Sequence, residues 1–576
     1  MEMDRPKKVN WYEPSQLIDT AIRTVVSGMI GKMLDPRRLI NTEGGEHHEC
    51  VMDPEKPIES FDFMADTGDG WDATFTMAFL LTAPQLEVKQ ADGSKRVMER
   101  PDMLILGGDE VYPVASSEAY RTRLVSPFEP ARKVVSEKFN LKRIAKHPVF
   151  LIPGNHDWYD ALSSFRHRFI ERRTKDFGSF RPHQKRSYFV VKLAHDWEIW
   201  GIDVQLGRNI DDKQFNFFSE HAESLTPSTK VVLCAAEPDR VYGNLSGRPL
   251  RFTMMRIRRL VYLKKARLVA IVAGDVHNYQ RYEEVKEDRR EDGETYIRQH
   301  IVSGGGGAFL HPTHGFPKES PHNRVQVGEP KKLYPDAKTS KKLSLQLPFF
   351  VFKNPGMAGL CSLLYTLMFW GGEIPTSLMD WLAHPIHHPA STLLMMFSVA
   401  GAWFFARAGI RQTVHEKPLA ARPEAGEKPD RKDRHDLASA FTRFAANTLG
   451  FLHGLGHLAV AYFSWWLALS WNPVGESGTL PVWQEYVLRL EVFGIGFLLA
   501  GTLFGCYLWL ALNIFCFHHN EAFSAIGSPH YKNFLRCKVL DEKRMEVVAI
   551  GVEKTAGTDT EHPVAVHEIE TYHLEG

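Results

Sequence analysis

The sequence predicts an α/β domain in its first half joined to an α-helical membrane domain in its second half. Short apolar runs in the first half each lead into glycine and then an acid, an amide or an imidazole. Beyond about residue 350 the chain carries apolar segments of bilayer-spanning or near-spanning length. Lys and Arg are unevenly shared among the loops between those segments, as in multi-pass membrane proteins.

Residues 1–57 read as an N-terminal extension whose opening, Met1 to Lys8, lacks the apolar core of a signal peptide. The α/β domain is expected over 58–315. Ser60–Met64 leads into Ala65-Asp66-Thr67-Gly68-Asp69-Gly70, and Met103–Leu106 into Gly107-Gly108-Asp109-Glu110-Val111-Tyr112. Pro148–Ile152 leads into Pro153-Gly154-Asn155-His156-Asp157-Trp158, and Leu268–Ala273 into Gly274-Asp275-Val276-His277. Buried parallel strands read as continuous apolar runs, and open α/β sheets bind ligands at the carboxyl ends of their strands. The four ends offer carboxylate, carboxylate, amide plus imidazole, and carboxylate plus imidazole. That is a two-metal inventory, because hard divalent ions need oxygen ligands and borderline ones accept imidazole. A single such end could be a turn or helix cap; four together point to a shared site.

In the order Asp66-x-Gly68, Gly108-Asp109-x-x-Tyr112, Gly154-Asn155-His156-Asp157 and Gly274-x-x-His277, residues 58–315 resemble the calcineurin-like metallophosphoesterase superfamily, and its purple-acid-phosphatase branch most. The resemblance implies a four-layer αββα sandwich, a dinuclear metal centre, and hydrolysis of a phosphate mono- or diester by metal-bound hydroxide. It also implies that Asp66, Asp109, His277 and Tyr112 hold one metal, and that Asp109 bridges to a second held by Asn155. His156 becomes the acid or anion-stabilising group, oriented by Asp157. A bridging carboxylate keeps two cations close enough to activate water and neutralise phosphoryl oxygens. An imidazole of ordinary pKa, about 6.5, can protonate the leaving alkoxide.

The sequence departs from the family at two histidines of the second metal. A His-Pro type motif becomes Ala235-Ala236-Glu237-Pro238, and Gly-His-x-His becomes Gly274-Asp275-Val276-His277. Glu237 and Asp275 are expected to replace the imidazoles, giving a second site of Asp109, Asn155, Glu237 and Asp275. Two divalent ions are expected as cofactors, Mn²⁺, Mg²⁺ or Fe in preference to Zn²⁺. The run Ser303-Gly304-Gly305-Gly306-Gly307-Ala308 suits either an anion nest or close backbone approach beside the site. His311 and His314 are candidates for binding the substrate phosphate, with a solvated loop as the other reading.

A formal net charge of +1 gives no nucleic-acid footprint. Six scattered cysteines show no disulfide framework, so a reducing compartment is expected.

Residues 316–348 form a Pro/Lys/Ser/His-rich linker, and 349–517 a domain of four transmembrane helices at roughly 355–373, 390–410, 448–471 and 490–517. Arg407, Arg411, Lys417, Arg422, Lys428, Arg431, Lys432, Arg434 and Arg443 lie between the second and third, whereas 373–390 has no Lys or Arg and 472–489 only Arg489. The positive-inside rule then places positions near 425 and 560 in the cytoplasm, with 380 and 478 opposite. The catalytic domain and C-terminus are cytoplasmic in this scheme. His453 and His457 share one helix face and read as helix–helix hydrogen bonding, with metal binding or proton relay as the functional alternative. Residues 518–576 form a tail whose stretch 538–553 reads as a small β element, expected to dock on the phosphoesterase domain. Tethering hints at a lipid-linked phosphate substrate. A non-catalytic metal- or nucleotide-binding membrane regulator is one alternative, motivated by the missing histidines; a transporter is another, motivated by His453 and His457.

Overall fold

The computed structural model describes residues 5–20, 57–171, 176–204, 209–239, 248–287, 295–315, 329–369, 387–413, 432–472, 480–556 and 564–576, with single positions at 22, 379 and 383. Strands β1 (Ser60–Met64), β2 (Gln85–Lys89), β3 (Lys95–Glu99), β4 (Met103–Leu106), β5 (His147–Leu151) and β6 (Phe180–Pro182) belong to a first sheet. Strands β7 (Phe189–Lys192), β8 (Trp197–Ile202), β9 (Lys230–Ala235), β10 (Arg267–Ala273), β11 (Tyr279–Glu287), β12 (Thr295–Ser303) and β13 (Lys332–Tyr334) make the second, in the order β13-β11-β12-β10-β9-β8-β7. Strands β14 (Lys532–Val539), β15 (Arg544–Val552) and β16 (His567–Glu575) return to the first sheet, whose order is β3-β2-β16-β15-β14-β1-β4-β5-β6.

The alternation of side chains along each strand decides the layering. Phe61, Phe63, Ile105 and Phe150 of the first sheet share one buried cluster with Val232 and Val272 of the second, so the sheets pack face to face. Leu104, Leu106 and Val149 point the other way, onto helices Trp71–Thr82 and Ser126–Lys138. Val231, Leu233 and Leu268 pack under helices Asp212–Ala222 and Arg248–Leu263. Both sheets mix parallel and antiparallel pairs, and with a helix layer on each outer face the order is helix, sheet, sheet, helix.

The C-terminal tail does more than dock as a small β element. It supplies three strands that sit between β1 and β2, with β14 antiparallel to β1 and Phe63 opposite Leu535. Arg536 on β14 makes a two-pronged contact to Asp62 on β1, Nε to Oδ1 and Nη2 to Oδ2 both at 2.9 Å, and both side chains are buried. The helical domain is therefore an insertion into the sandwich. The sequence around Lys538–Glu553 shows the hairpin turn, but the pairing partner lies more than 470 residues away.

Residues 316–348 are likewise more than a linker. Within them β13 pairs with β11, and helix Ala337–Ser344 is capped by Asp336, which accepts from the backbone of Lys338 and Thr339 at 2.9 Å each. Residues 316–328 lie outside the described residues.

Two described helices are long and apolar enough to cross a bilayer, Pro389–Ile410 and Val482–Asn513. A third span arises if Ala337–Lys353 and Pro355–Leu367, bent by 59°, count as one. The four expected spans are thus two, or up to three, among the described residues. The first expected segment yields a 13-residue helix, Pro355–Leu367, about 20 Å long against a hydrocarbon core of about 30 Å. The third lies in the 40-residue helix Lys432–Trp471, where His453 and His457 dilute the apolar stretch. The two imidazoles, on one helix, are 3.0 Å apart through their Nε2 atoms, and His457 Nδ1 meets Tyr365 Oη from a different helix, so His457 makes the expected helix–helix bond and the His453 bond stays within its own helix. Most of the basic loop, at 414–431, and positions 380, 478 and 560 lie outside the described residues.

Candidate active site

Asp66, Asp109 and Asp275 each stand immediately beyond a strand-end turn with left-handed backbone, φ 61°, 52° and 66°. Non-glycine residues hold that conformation at a cost of about 1–3 kcal/mol, a strain typical of functional sites. Backbone bonds enforce it: Asp66 N donates to Gly108 O at 2.9 Å and Ala308 N to Asp66 O at 2.9 Å. Two glycines make room. A Cβ at Gly154 would stand 2.0 Å from Asp109 Oδ1, and one at Gly304 would stand 2.4 Å from Asp66 Oδ2. The glycine run 304–307 therefore serves close backbone approach.

Four of the expected donors converge. Tyr112 Oη lies 3.0 Å from Asp66 Oδ1, 3.2 Å from Asp109 Oδ2 and 3.0 Å from His277 Nε2, while His277 Nε2 and Asp66 Oδ1 are 3.7 Å apart. Neighbouring donors around an octahedral ion with bonds of about 2.1 Å stand about 3.0 Å apart. His277 Nδ1 donates to Phe309 O at 2.7 Å, which leaves Nε2 carrying the lone pair.

A second group adjoins the first. The side-chain oxygen of Asn155 lies 3.2 Å from Asp109 Oδ2 and 3.1 Å from Asp275 Oδ1, three acceptors with no donor among them. Reversing the amide would turn both contacts into hydrogen bonds; a cation among the three oxygens makes the orientation as it stands the favourable one. Glu237 is buried in the wall of the same cavity. Among the described residues no three His, Cys, Asp or Glu side chains by themselves are arranged to hold a metal. Tyr112 and Asn155 are what complete the two donor groups.

The electrostatics ask for positive charge. Burial, then Asp275, pushes the Asp66 carboxyl well above the usual range, and burial, then Asp275 and Asp66, does the same to Asp109. No Lys or Arg is among the described residues lining the cavity. Lys532, buried nearby with Nζ on the Ala308 carbonyl, is itself pushed down to about 7 by burial. Buried carboxylates this close keep their charges only opposite cations, so the residues present fit divalent metal ions.

His156 donates its backbone N–H to Asp109 Oδ1 at 2.9 Å and its Nδ1–H to Pro113 O at 2.6 Å. Trp11, 5.8 Å away edge to face, helps to bury it, and burial lowers its pKa to about 4. The ring is neutral near pH 7, in place of the ordinary imidazole expected from the sequence. Asp157 does not orient it. Asp157 Oδ2 accepts from Gly154 N at 2.8 Å and Glu110 N at 3.3 Å, and Oδ1 accepts from Tyr120 Oη at 2.5 Å, so this carboxylate shapes the loop.

His311 reaches the cavity, stacked 3.9 Å from the His277 ring, with its Nε2 3.1 Å from Asn520 Oδ1. His314 does not line it. Its Nδ1 meets Ser340 Oγ at 2.7 Å and its Nε2 meets Asn513 Oδ1 at 3.2 Å, joining the loop to two helices. Trp11 and Tyr159 line the cavity without having been singled out. Tyr159, one turn after Asn155 in the same motif, was within reach of the sequence; Trp11 comes from a distant segment with no motif to flag it.

Residues 60–279 match the family model of the calcineurin-like phosphoesterases. The match runs from β1 to the first residue of β11, so the matched region holds every donor from Asp66 to His277. It stops short of β12 to β16 and of the apolar helices. A phosphoesterase is the activity this match supports. A solved structure of PhoD is similar over 44% of this chain and 58% of that one, at 11% identity and a TM-score of 0.28. No curated protein matches the chain.

Proposed function

We propose that the chain is a membrane-anchored, metal-dependent phosphoesterase that hydrolyses a phosphate mono- or diester. The observation that carries this reading is the convergence of Asp66, Asp109, Tyr112 and His277 on one point, with the Asn155 side-chain amide facing Asp109 and Asp275. Asp66, Tyr112 and His277 would hold one divalent ion and Asn155, Glu237 and Asp275 a second, with Asp109 common to both. When bound, such ions polarise the phosphoryl group and lower the pKa of water. The all-oxygen character of the second group favours Mn²⁺, Mg²⁺ or Fe over Zn²⁺.

The chain's own groups do the rest. Pro113 fixes His156 as the Nδ1–H tautomer, so Nε2 takes up a proton and returns it to the leaving oxygen. Trp11 and Phe309, 5.5 Å apart edge to face, line the cavity beside the donors.

Helices Pro389–Ile410 and Val482–Asn513 support the anchor. With the segments at 355–373 and 448–471 added, four spans place the catalytic domain and C-terminus beside the basic loop, on the cytoplasmic side. The test is hydrolysis of p-nitrophenyl phosphate and bis(p-nitrophenyl) phosphate by full-length protein, with bound metal counted by mass spectrometry. Metal-dependent turnover is expected. Two bound ions without turnover of either ester, under any of Mn²⁺, Mg²⁺, Fe²⁺ or Zn²⁺, would overturn it.

A further inference from the structure

The cavity that holds the donor cluster does not end at the sandwich. Its volume of about 820 Å³ is shared between that cluster and the helical domain, toward the upper end of the range for small-ligand pockets, about 300–1,000 Å³. Met357, Leu360, Cys361 and Leu364 line it from helix Pro355–Leu367, and Phe397, Gly401 and Phe405 from helix Pro389–Thr413. Both sets recur at three- and four-residue intervals, so each helix turns one apolar face inward. At the margin Leu360 is 39% exposed and Phe397 66% exposed. The apolar arm is therefore open to the surface along Pro389–Ile410, a helix fit to lie in a bilayer.

Among the described residues the charged groups on the wall are all acids or imidazoles, among them Asp109, Glu237, Asp275 and Glu521. Against these residues a nucleotide or polyphosphate would meet carboxylates with no cationic side chain to hold its further phosphates. One phosphate at the donor cluster, joined to hydrocarbon, matches both ends of the cavity.

We infer that the substrate is an amphiphile, a phosphate ester held by its phosphate at the Asp109 cluster with its hydrocarbon chain in the arm between helices Pro355–Leu367 and Pro389–Thr413. The chemistry rests on the phosphoesterase reading; the shape of the ligand rests on the cavity. Hydrolysis consumes one water: its oxygen bonds to phosphorus, the ester P–O bond breaks, and the departing oxygen takes a proton to leave as the lipid alcohol.

The test uses full-length protein in lipid nanodiscs, loaded with Mn²⁺, and hexadecyl and ethyl phosphates, each as the monoester and as the methyl diester. Each buried methylene adds up to about fourfold in affinity, so kcat/KM for the hexadecyl ester should exceed that for the ethyl ester by at least about a hundredfold. A Cβ at Gly401 meets nothing within 4 Å, so the indole of Gly401→Trp enters the open arm and should cut the hexadecyl-to-ethyl ratio at least about tenfold. Leu360→Trp, at a half-exposed position on the facing helix, should do the same and stands in if the first variant folds poorly.

Equal kcat/KM for the two chain lengths, or a ratio that neither tryptophan moves, overturns the inference and leaves the phosphoesterase reading intact if aryl esters are still hydrolysed. Should no ester be hydrolysed, calorimetric binding decides. Saturable uptake of hexadecyl phosphate, weakened by Gly401→Trp and absent for ethyl phosphate, supports the amphiphile site and removes only the enzyme; no such uptake removes the site.

Discussion

The two halves of the donor cluster are held in different ways. Asp66, Asp109 and His277 all meet the Tyr112 hydroxyl, and His277 is braced from behind by the Phe309 carbonyl. In the other half the Asn155 side-chain amide faces Asp109 and Asp275, 3.2 Å from Asp109 Oδ2 and 3.1 Å from Asp275 Oδ1. In the first half three acceptors share one Tyr112 hydroxyl hydrogen, with the Phe309 carbonyl fixing the His277 ring. In the second, Asp275 and Glu237 offer carboxylates where the sequence resemblance leads one to expect imidazoles, so an ion held there would meet harder ligands and exchange more readily.

The harshest test strikes the oxygen common to both halves. Asp109→Asn should reduce hydrolysis by at least about a hundredfold and release metal, whereas His156→Ala should cost at least about as much in rate and keep both ions. Mass spectrometry of the purified variants separates the two outcomes. A His156→Ala chain that turns over normally would remove that imidazole from proton transfer, and an Asp109→Asn chain with two ions would dissolve the idea of a shared carboxylate.

A finer cut divides the halves. His277→Ala and Tyr112→Phe should deplete one ion, Glu237→Ala and Asp275→Ala the other, each with activity lower by about 10–100-fold, the usual cost of disturbing a metal shell. Titrating metal back should restore the Glu237 and Asp275 variants at higher Mn²⁺, and Zn²⁺ should restore them less. If both acid-to-alanine variants keep two ions and full turnover, the second position is held by other groups, and His311 on the cavity wall is the first to examine.

Stability should be separable from metal binding. Arg536 and Asp62 are both buried and contact each other through two bonds across the β14–β1 seam. Leaving one of them unpaired costs about 3–5 kcal/mol. Arg536→Ala should therefore lower the thermal unfolding midpoint by several degrees, while refolded protein still binds two ions, because the donors are positioned by their own loops. Loss of metal at temperatures where this variant remains folded would show that the C-terminal strands tune the site directly.

How much of this was legible in the sequence follows from how local each signal is. Asp66, Asp109, Asn155 and His277 announce themselves because a strand run, a glycine turn and a donor fall within about ten consecutive residues. The layers follow from the alternation of Phe61, Phe63 and their neighbours once two sheets are assumed. Pairing across the insertion is a different matter: nothing near Arg536 marks Asp62 as its partner, so the tail reads as a small β element and its three strands are not legible as members of the first sheet. Asp157 misled for a related reason. It stands next to His156 in sequence, yet the tight turn aims its oxygens back at Gly154, Glu110 and Tyr120, and His156 takes a carbonyl instead.

The gentlest test concerns His314, whose sequence neighbourhood suggested a phosphate ligand and whose surroundings make it a structural contact. Burial lowers its pKa to about 4, with Ser340 and Asn513 holding both ring nitrogens. In the unfolded chain the same group titrates at about 6.5. The folded state thus prefers the neutral ring, and protonation favours unfolding. The stability this preference contributes is complete above about pH 6.5, falls as pH drops through the window from 6.5 to 4, and is gone below it. His314→Gln keeps a donor and an acceptor but cannot titrate. Its unfolding midpoint should change less than that of the wild type across that window, and hydrolysis at neutral pH should be unaltered. Parallel pH profiles would show that the imidazole is not held neutral between loop and helices, and a fall in kcat/KM at neutral pH would return His314 to the substrate.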